Sequence, residues 1–273
     1  MSNADSPRRQ PAIYVSHGGG PCFWIEFPEP FGKHAFDSLK AYLAGIDASL
    51  PERPKAVVII SGHWEEAHPT VSLNPAPGML FDYYGFPEHT YRLSYPAPGA
   101  PDLAMKVAGL LHGAGIPVAG DKQRGFDHGV FVPFLIMYPD ADLPVVMLSM
   151  KHSLDAAEHI AIGKALAPLR DDGVLIVGSG MSYHNLQNFF DGEEERAAGF
   201  DTWLAETVAD PDPESRNAKL ARWTEAPFAR HAHPRPDHLI PLMVVAGAAG
   251  DDIGRQSFSD RIGRKAVSSF EFG

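Results

Sequence analysis

Ala12-Ile-Tyr-Val-Ser-His-Gly-Gly-Gly-Pro21 reads as a buried strand that stops at a loop. Ala12 to Val15 have strand character, Ser16 and His17 follow, and three glycines let the backbone approach whatever lies beyond. In an open α/β sheet that is usually a ligand, because sites gather past the carboxyl ends of the strands. Gly18-Gly19-Gly20-Pro21 has neither the GxGxxG spacing of a dinucleotide loop nor the Lys-Ser/Thr of a phosphate loop. The chemistry of the stretch therefore lies in His17, and the glycines make room for it.

The pattern recurs along the chain. Ala56 to Ile60 is a second apolar run that leads into Ser61-Gly62-His63-Trp64-Glu65, and Phe36 to Ala48 has apolar residues at helical spacing. Two strands joined through a helix are expected to be parallel, with a right-handed crossover. Pro144 to Ser149 and Gly173 to Val177 add two buried strands, separated by a helix from about Leu154 to Leu169. The second runs into Gly178-Ser-Gly-Met-Ser-Tyr-His184-Asn185. Asp102 to His112 is a further helix that Asp102 is placed to cap. Leu239 to Ala249 begins a helix near prolines, and Ala266 to Phe272 reads as an edge strand. The expected fold is α/β, a single domain over residues 11–273 with a mostly parallel central sheet flanked by helices on both faces. Met1 to Gln10 is polar, lacks the apolar core of a secretory signal, and is expected to lie disordered outside the fold.

Composition narrows the partners. Hydrophobic residues are 44% of the chain and no apolar run approaches the ~18 residues of a membrane span, so a soluble globular protein that does not cross a bilayer is expected. A formal charge of −11 argues against nucleic acid, whose binding needs a clustered excess of Lys and Arg. Cys22 is the only cysteine, which excludes an intrachain disulfide and a CxxC metal knuckle and suits a reducing cytoplasm. Any metal must then be held by histidine and carboxylate. Residues 74–101, rich in proline, glycine and tyrosine, form either a wall or lid over a flat substrate or a packed Ω-loop.

Five of the thirteen histidines, His17, His63, His128, His184 and His238, stand at element boundaries beside strand-ending or helix-breaking residues. A doubly wound sheet brings such positions to one place. His34, His68, His89, His112, His152 and His159 lack that setting, and His231 and His233 flank it. Three neutral imidazoles leave open positions on zinc or ferrous iron. The same nitrogens serve zinc hydrolysis, where bound water is acidified, or iron chemistry, where a chelating substrate and dioxygen meet. Histidines that are not ligands carry protons near neutrality.

Taken together, Ser16-His17-Gly18, Ser61-Gly62-His63-Trp64-Glu65, Asp82-Tyr-Tyr-Gly-Phe-Pro87 with Tyr95-Pro-Ala-Pro-Gly99, Asp127-His128-Gly129, Gly178-Ser-Gly180 with His184-Asn185-Leu186, and His233-Pro234 with Asp237-His238 resemble the 4,5-DOPA dioxygenase group of class III extradiol ring-cleaving dioxygenases. The resemblance covers nearly the whole chain after residue 11. It implies an oxidoreductase that inserts O2 into a catechol-type aromatic, with His17, His63 and His238 as metal ligands and His128 and His184 as acid/base residues. His238 stands where many ring-cleaving relatives carry a carboxylate. Fe(II) is the implied cofactor for activity. A three-histidine site also tolerates Zn(II), with His184 closing a tetrahedral set. The implied mechanism places Trp24, Tyr83, Tyr84 and Phe86 around the ring and Arg92 or His233 at a substrate carboxylate.

Two other readings are open. A zinc-dependent hydrolase would use the same histidines and turn over without oxygen. A non-enzymatic binding protein on this fold would use the cleft only for recognition, since fold does not fix function. Oligomeric state is not legible in the sequence.

Overall fold

A computed structural model describes residues 8–273. Six strands form the central sheet: β1 (Ala12–Ser16), β2 (Ala56–Ser61), β3 (Val145–Met147), β4 (Val174–Gly180), β5 (Gly254–Ile262) and β6 (Lys265–Phe272). Their spatial order is β3-β2-β4-β1-β6-β5. The first four are parallel, whereas β6 is antiparallel to β1 and β5 antiparallel to β6. The helices are α1 (Asp37–Ser49), α2 (Pro101–Gly113), α3 (His128–Met137), α4 (Ala156–Leu166), α5 (Glu194–Val208), α6 (Pro213–Ala221), α7 (Ala229–Ala232) and α8 (Ile240–Ala249). None is long and apolar enough to cross a membrane.

Helices cover both faces, and β4 shows it residue by residue. Side chains alternate across a strand. Ser179 Oγ donates to the carbonyl of Gly129 in α3. Its neighbours face the other way: a Cβ on Gly180 would lie 2.0 Å from the carbonyl oxygen of His238, just before α8. Glycine is therefore required there, because any side chain would push α8 and the residue preceding it off the sheet.

Several sequence expectations are corrected. Ala266–Phe272 is not the edge strand: β6 pairs on both sides, and the edge is β5, whose charged residues give no apolar signal. Asp102 does not cap α2, which begins at Pro101 with Ala100 in the capping position. The helix expected to reach Leu169 ends at Leu166 and continues as a 3-10 turn over Ala167–Asp172, where Pro168 cannot donate to the helical ladder. Residues 8–10, expected outside the fold, belong to it. Gln10 is fully buried, its N–H donates to the Arg170 carbonyl at 3.0 Å, and its carbonyl accepts from Arg170 Nε at 2.7 Å. A buried guanidinium needs acceptors, and the chain before β1 supplies one. Residues 1–7 lie outside the described residues.

The register places the site. Ser61 of β2 is level with Ser179 of β4, and Ser16 of β1 with Gly180. The three parallel strands thus end together, and the His17 N–H continues the ladder to the Gly180 carbonyl at 2.9 Å. His17 and His63 leave the sheet at one edge, where α3 opens with His128 and α8 is preceded by His238.

Candidate metal centre

His63 Nε2 lies 3.2 Å from His17 Nε2 and 3.2 Å from His238 Nε2. His17, His63 and His128 each offer a ligand atom within 4.8 Å of one another, as do His184, Asp237 and His238. The two sets meet at the His63–His238 contact. His184 stacks on His238 with ring centroids 3.4 Å apart and an interplanar angle of 16°. All five boundary histidines line one cavity of about 500 Å³, walled by Phe27, Phe31, Phe36, Phe86 and Phe189.

Each of the three close nitrogens has a polar group behind its ring. His17 Nδ1 is 2.9 Å from Ser179 Oγ, which spends its own proton on Gly129 and so accepts from the ring. His63 Nδ1 is 3.6 Å from Asp82 Oδ2, and His238 Nδ1 is 3.1 Å from Asp237 Oδ2 without the alignment of a hydrogen bond. Ser179 keeps the His17 ring proton on Nδ1 and turns its Nε2 lone pair inward, and the two carboxylates favour the same tautomer of His63 and His238 through their charge. Burial first, then the neighbouring imidazoles, hold His17 and His238 well below the ordinary histidine range. Burial and then His128 bring His63 down to about 3. Protons are thus disfavoured between nitrogens that would otherwise repel. A cation about 2.1 Å from each of two nitrogens sets them roughly 3.0 to 3.4 Å apart, which both His63 contacts match.

The surroundings fix this arrangement. Asp82 Oδ1 accepts from the His128 backbone N–H at 3.0 Å and from its Nδ1 at 2.7 Å, which orients the ring and puts a carboxylate at the start of α3. Burial raises the Asp82 pKa, but the hydrogen bonds and charge of the imidazoles outweigh it and hold the carboxyl below its ordinary value. Asp127, next to His128 in sequence, turns away: it accepts from Ser61 Oγ at 2.7 Å and from Arg124 Nη2 at 3.0 Å. Arg124 also donates to the His63 carbonyl at 3.1 Å, so this partly buried pair holds the backbone of His63. A Cβ on Gly129 would meet Ser61 Oγ at 2.4 Å and His63 Cδ2 at 3.0 Å, which is why glycine follows His128.

Four of the six residues expected around the substrate, Trp24, Tyr84, Arg92 and His233, lie outside the cavity lining. Tyr84 is 91% exposed on the surface, and its neighbour Tyr83 lines the cavity instead, anchored by a 2.6 Å bond from its hydroxyl to the Thr90 carbonyl. Arg92 pairs with Glu88 on the outside. Trp24 is outside the cavity lining, its carbonyl accepting from His89 Nε2 at 2.9 Å. His233 is fully buried behind the site, donating from Nε2 to the Ser182 carbonyl at 2.8 Å and packed on Phe200 and Trp223. Of the expected aromatics, Tyr83 and Phe86 reach the cavity. Sequence reasoning assigned no role to Ser179, Asp82 or Asp237. The Asp237-His238 adjacency was a usable signal, whereas nothing in the sequence ties Asp82 to a histidine 46 positions away.

Five imidazoles converge at the carboxyl edge of a parallel sheet in groups that could hold a metal ion, and the chain belongs to the family of the catalytic LigB subunit of aromatic ring-opening dioxygenase, whose model matches residues 11–269. It is therefore an aromatic ring-opening dioxygenase. Among curated relatives it is 43% identical over 244 residues to the 4,5-DOPA dioxygenase extradiol of Beta vulgaris, covering 88% of this chain and 87% of that one. It is 34% identical over 248 residues to the 4,5-DOPA dioxygenase extradiol of Escherichia coli K12, covering 89% and 86%. It is 36% identical over 257 residues to dioxygenase tasH of Hapsidospora irregularis, covering 89% and 79%. The fold matches the crystal structure of an uncharacterized protein of Escherichia coli K12 with a TM-score of 0.77 and 30% identity, over 97% of this chain and 100% of that one.

Proposed function

We propose that this protein cleaves a catechol ring in the extradiol manner, inserting both atoms of O2 to give a ring-opened hydroxymuconic semialdehyde, at a metal held by His17, His63 and His238. The observation that carries this reading is the pair of 3.2 Å Nε2 contacts that His63 makes with His17 and His238 at the base of the cavity. We assign Fe(II) as the active metal; Zn(II) fits the same nitrogens without supporting the reaction. When bound, ferrous iron brings the catechol oxygens and dioxygen together and passes electrons between them.

The chain's own side chains supply the rest. His184, stacked on His238 at the cavity wall with Nδ1 3.9 Å from Asp237 Oδ1, takes a hydroxyl proton from the catechol. His128 is held by Asp82 with its proton on Nδ1, so that its Nε2 faces the cavity to hydrogen-bond the oxygen side and return a proton to the opened ring. The phenylalanine wall stacks the flat ring and excludes water, which strengthens both proton transfers. The substrate is a small aromatic with O2, and neither nucleic acid nor a membrane is part of the reading. A reducing cytoplasm suits Cys22, which is buried, free and pushed up to about 12, chiefly by burial.

The test is anaerobic Fe(II) loading followed by a catechol panel in an oxygen electrode. One O2 consumed per catechol, with a yellow visible-absorbing product, is expected. Turnover of ester or amide substrates by the zinc form without oxygen, with no oxygen uptake on any catechol, would replace this reading with hydrolysis.

A further inference from the structure

The cavity walls carry a specificity signal that the relatives' names do not. Above the five histidines the lining is almost wholly apolar: Phe27, Phe31, Phe36, Phe86, Phe189 and Ile262. Among the described residues no lysine or arginine lines it. The nearby cations are already engaged elsewhere. Arg124 is committed to Asp127 and the His63 carbonyl, Arg235 is bidentate to Glu65 at 2.7 and 2.6 Å with its Nη1 also 3.4 Å from Asp237, and Lys265 is paired with Asp191. Arg92, expected to meet a substrate carboxylate, is spent on Glu88. The one charged side chain in the lining, Asp237, has the wrong sign for an acid.

A carboxylate packed against this wall loses water and meets no lysine or arginine, while an alkyl or aryl group gains buried contact. Resting on the ring-cleavage reading above, we propose that the preferred substrate is an uncharged catechol bearing an apolar substituent, and that the phenylalanine wall with Ile262 selects it against catechols bearing a carboxylate. Leu186, 72% exposed and part of the lining, stands at the mouth, so a side chain there faces the cavity without entering the core.

The test compares 4-propylcatechol, 4-methylcatechol, 3,4-dihydroxybenzoate and L-DOPA with the Fe(II)-loaded full chain, in oxygen uptake and, anaerobically, in calorimetric binding. Two further buried CH2 groups should raise kcat/KM for the propyl over the methyl compound roughly tenfold. 3,4-Dihydroxybenzoate should fall at least roughly 100-fold below 4-propylcatechol, and L-DOPA, whose carboxylate is accompanied by an ammonium group that Asp237 can meet, should fall below it by less. Leu186→Arg, at an exposed position that leaves the core untouched, should shift the ratio of 3,4-dihydroxybenzoate to 4-propylcatechol at least roughly tenfold toward the acid. Equal or higher kcat/KM for either acid in the wild type overturns the inference and leaves ring cleavage standing. If no catechol is cleaved, the ring-cleavage reading falls, and the calorimetric order decides the inference: tighter binding of 4-propylcatechol upholds it, and tighter binding of an acid overturns it.

Discussion

Asp82→Asn isolates the group that orients the proton-carrying side of the site. The carboxylate takes two hydrogen bonds from His128 on one oxygen, at 2.7 and 3.0 Å, and its other oxygen stands 3.6 Å from His63 Nδ1. The amide keeps the shape and can leave its carbonyl oxygen on His128, but it removes the charge that strengthens both bonds and turns an N–H toward His63 Nδ1. A hydrogen bond to a charged partner contributes about 1.5 to 3 kcal/mol, which corresponds to roughly 10- to 150-fold in a rate or affinity. The His128 contact is the short one, so the loss should fall on turnover: kcat/KM down roughly 10- to 100-fold. The longer approach to His63 should cost metal affinity no more than about tenfold. Oxygen-uptake kinetics with iron content measured on the same sample separates the two effects. A kcat/KM within twofold of wild type at full iron loading would refute the claim that Asp82 sets the His128 ring.

Other substitutions and conditions divide the roles further. His238→Ala should lose stoichiometric metal, whereas His184→Ala should keep it and lose turnover; metal analysis beside oxygen uptake checks both, and metal loss in His184→Ala would make that residue a ligand. Gly129→Ala puts a methyl 2.4 Å from Ser61 Oγ and 3.0 Å from His63 Cδ2, and should lower stability by about 1 to 3 kcal/mol in urea unfolding while weakening metal binding. The metal-free protein should be acid-sensitive. His17, His63, His238 and His233 are all held below their ordinary value of 6.5, His63 to about 3 and His233 to about 4. Below pH 6.5 the unfolded chain binds protons that the folded chain refuses, so stability falls as pH falls, by about 1.4 kcal/mol per pH unit for each such histidine until its folded value is reached. Urea midpoints in chelator at pH 7.5, 6.0 and 5.0 should drop at each step, and a flat series would contradict the buried neutral cluster.

The parallel half of the sheet was legible because its strands are buried on both faces and read as unbroken apolar runs, as in Val57 to Ile60 and Leu175 to Val177. The antiparallel edge was not: Gly254–Ile262 is half exposed and charged, so its pairing with β6 leaves no periodic trace. Histidines at strand ends could be picked out because small residues surround them, and level strand endings bring them together. What the sequence could not reveal is direction. Asp127 and His128 are neighbours that face different partners, while Asp82 crosses from a loop to orient His128. Likewise Tyr83 and Tyr84 are indistinguishable by type, yet one is buried at the cavity and the other is in solvent. The phenylalanine wall comes from segments far apart, Phe27 to Phe36 and Phe189, which no local pattern connects.

The most direct measurement is anomalous diffraction from crystals loaded anaerobically with iron, and separately with zinc, at one equivalent per chain. A single peak per chain, coordinated by Nε2 of His17, His63 and His238, is the predicted result. A peak held by His17, His63 and His128 without His238, or none in the cavity at full loading, would contradict it.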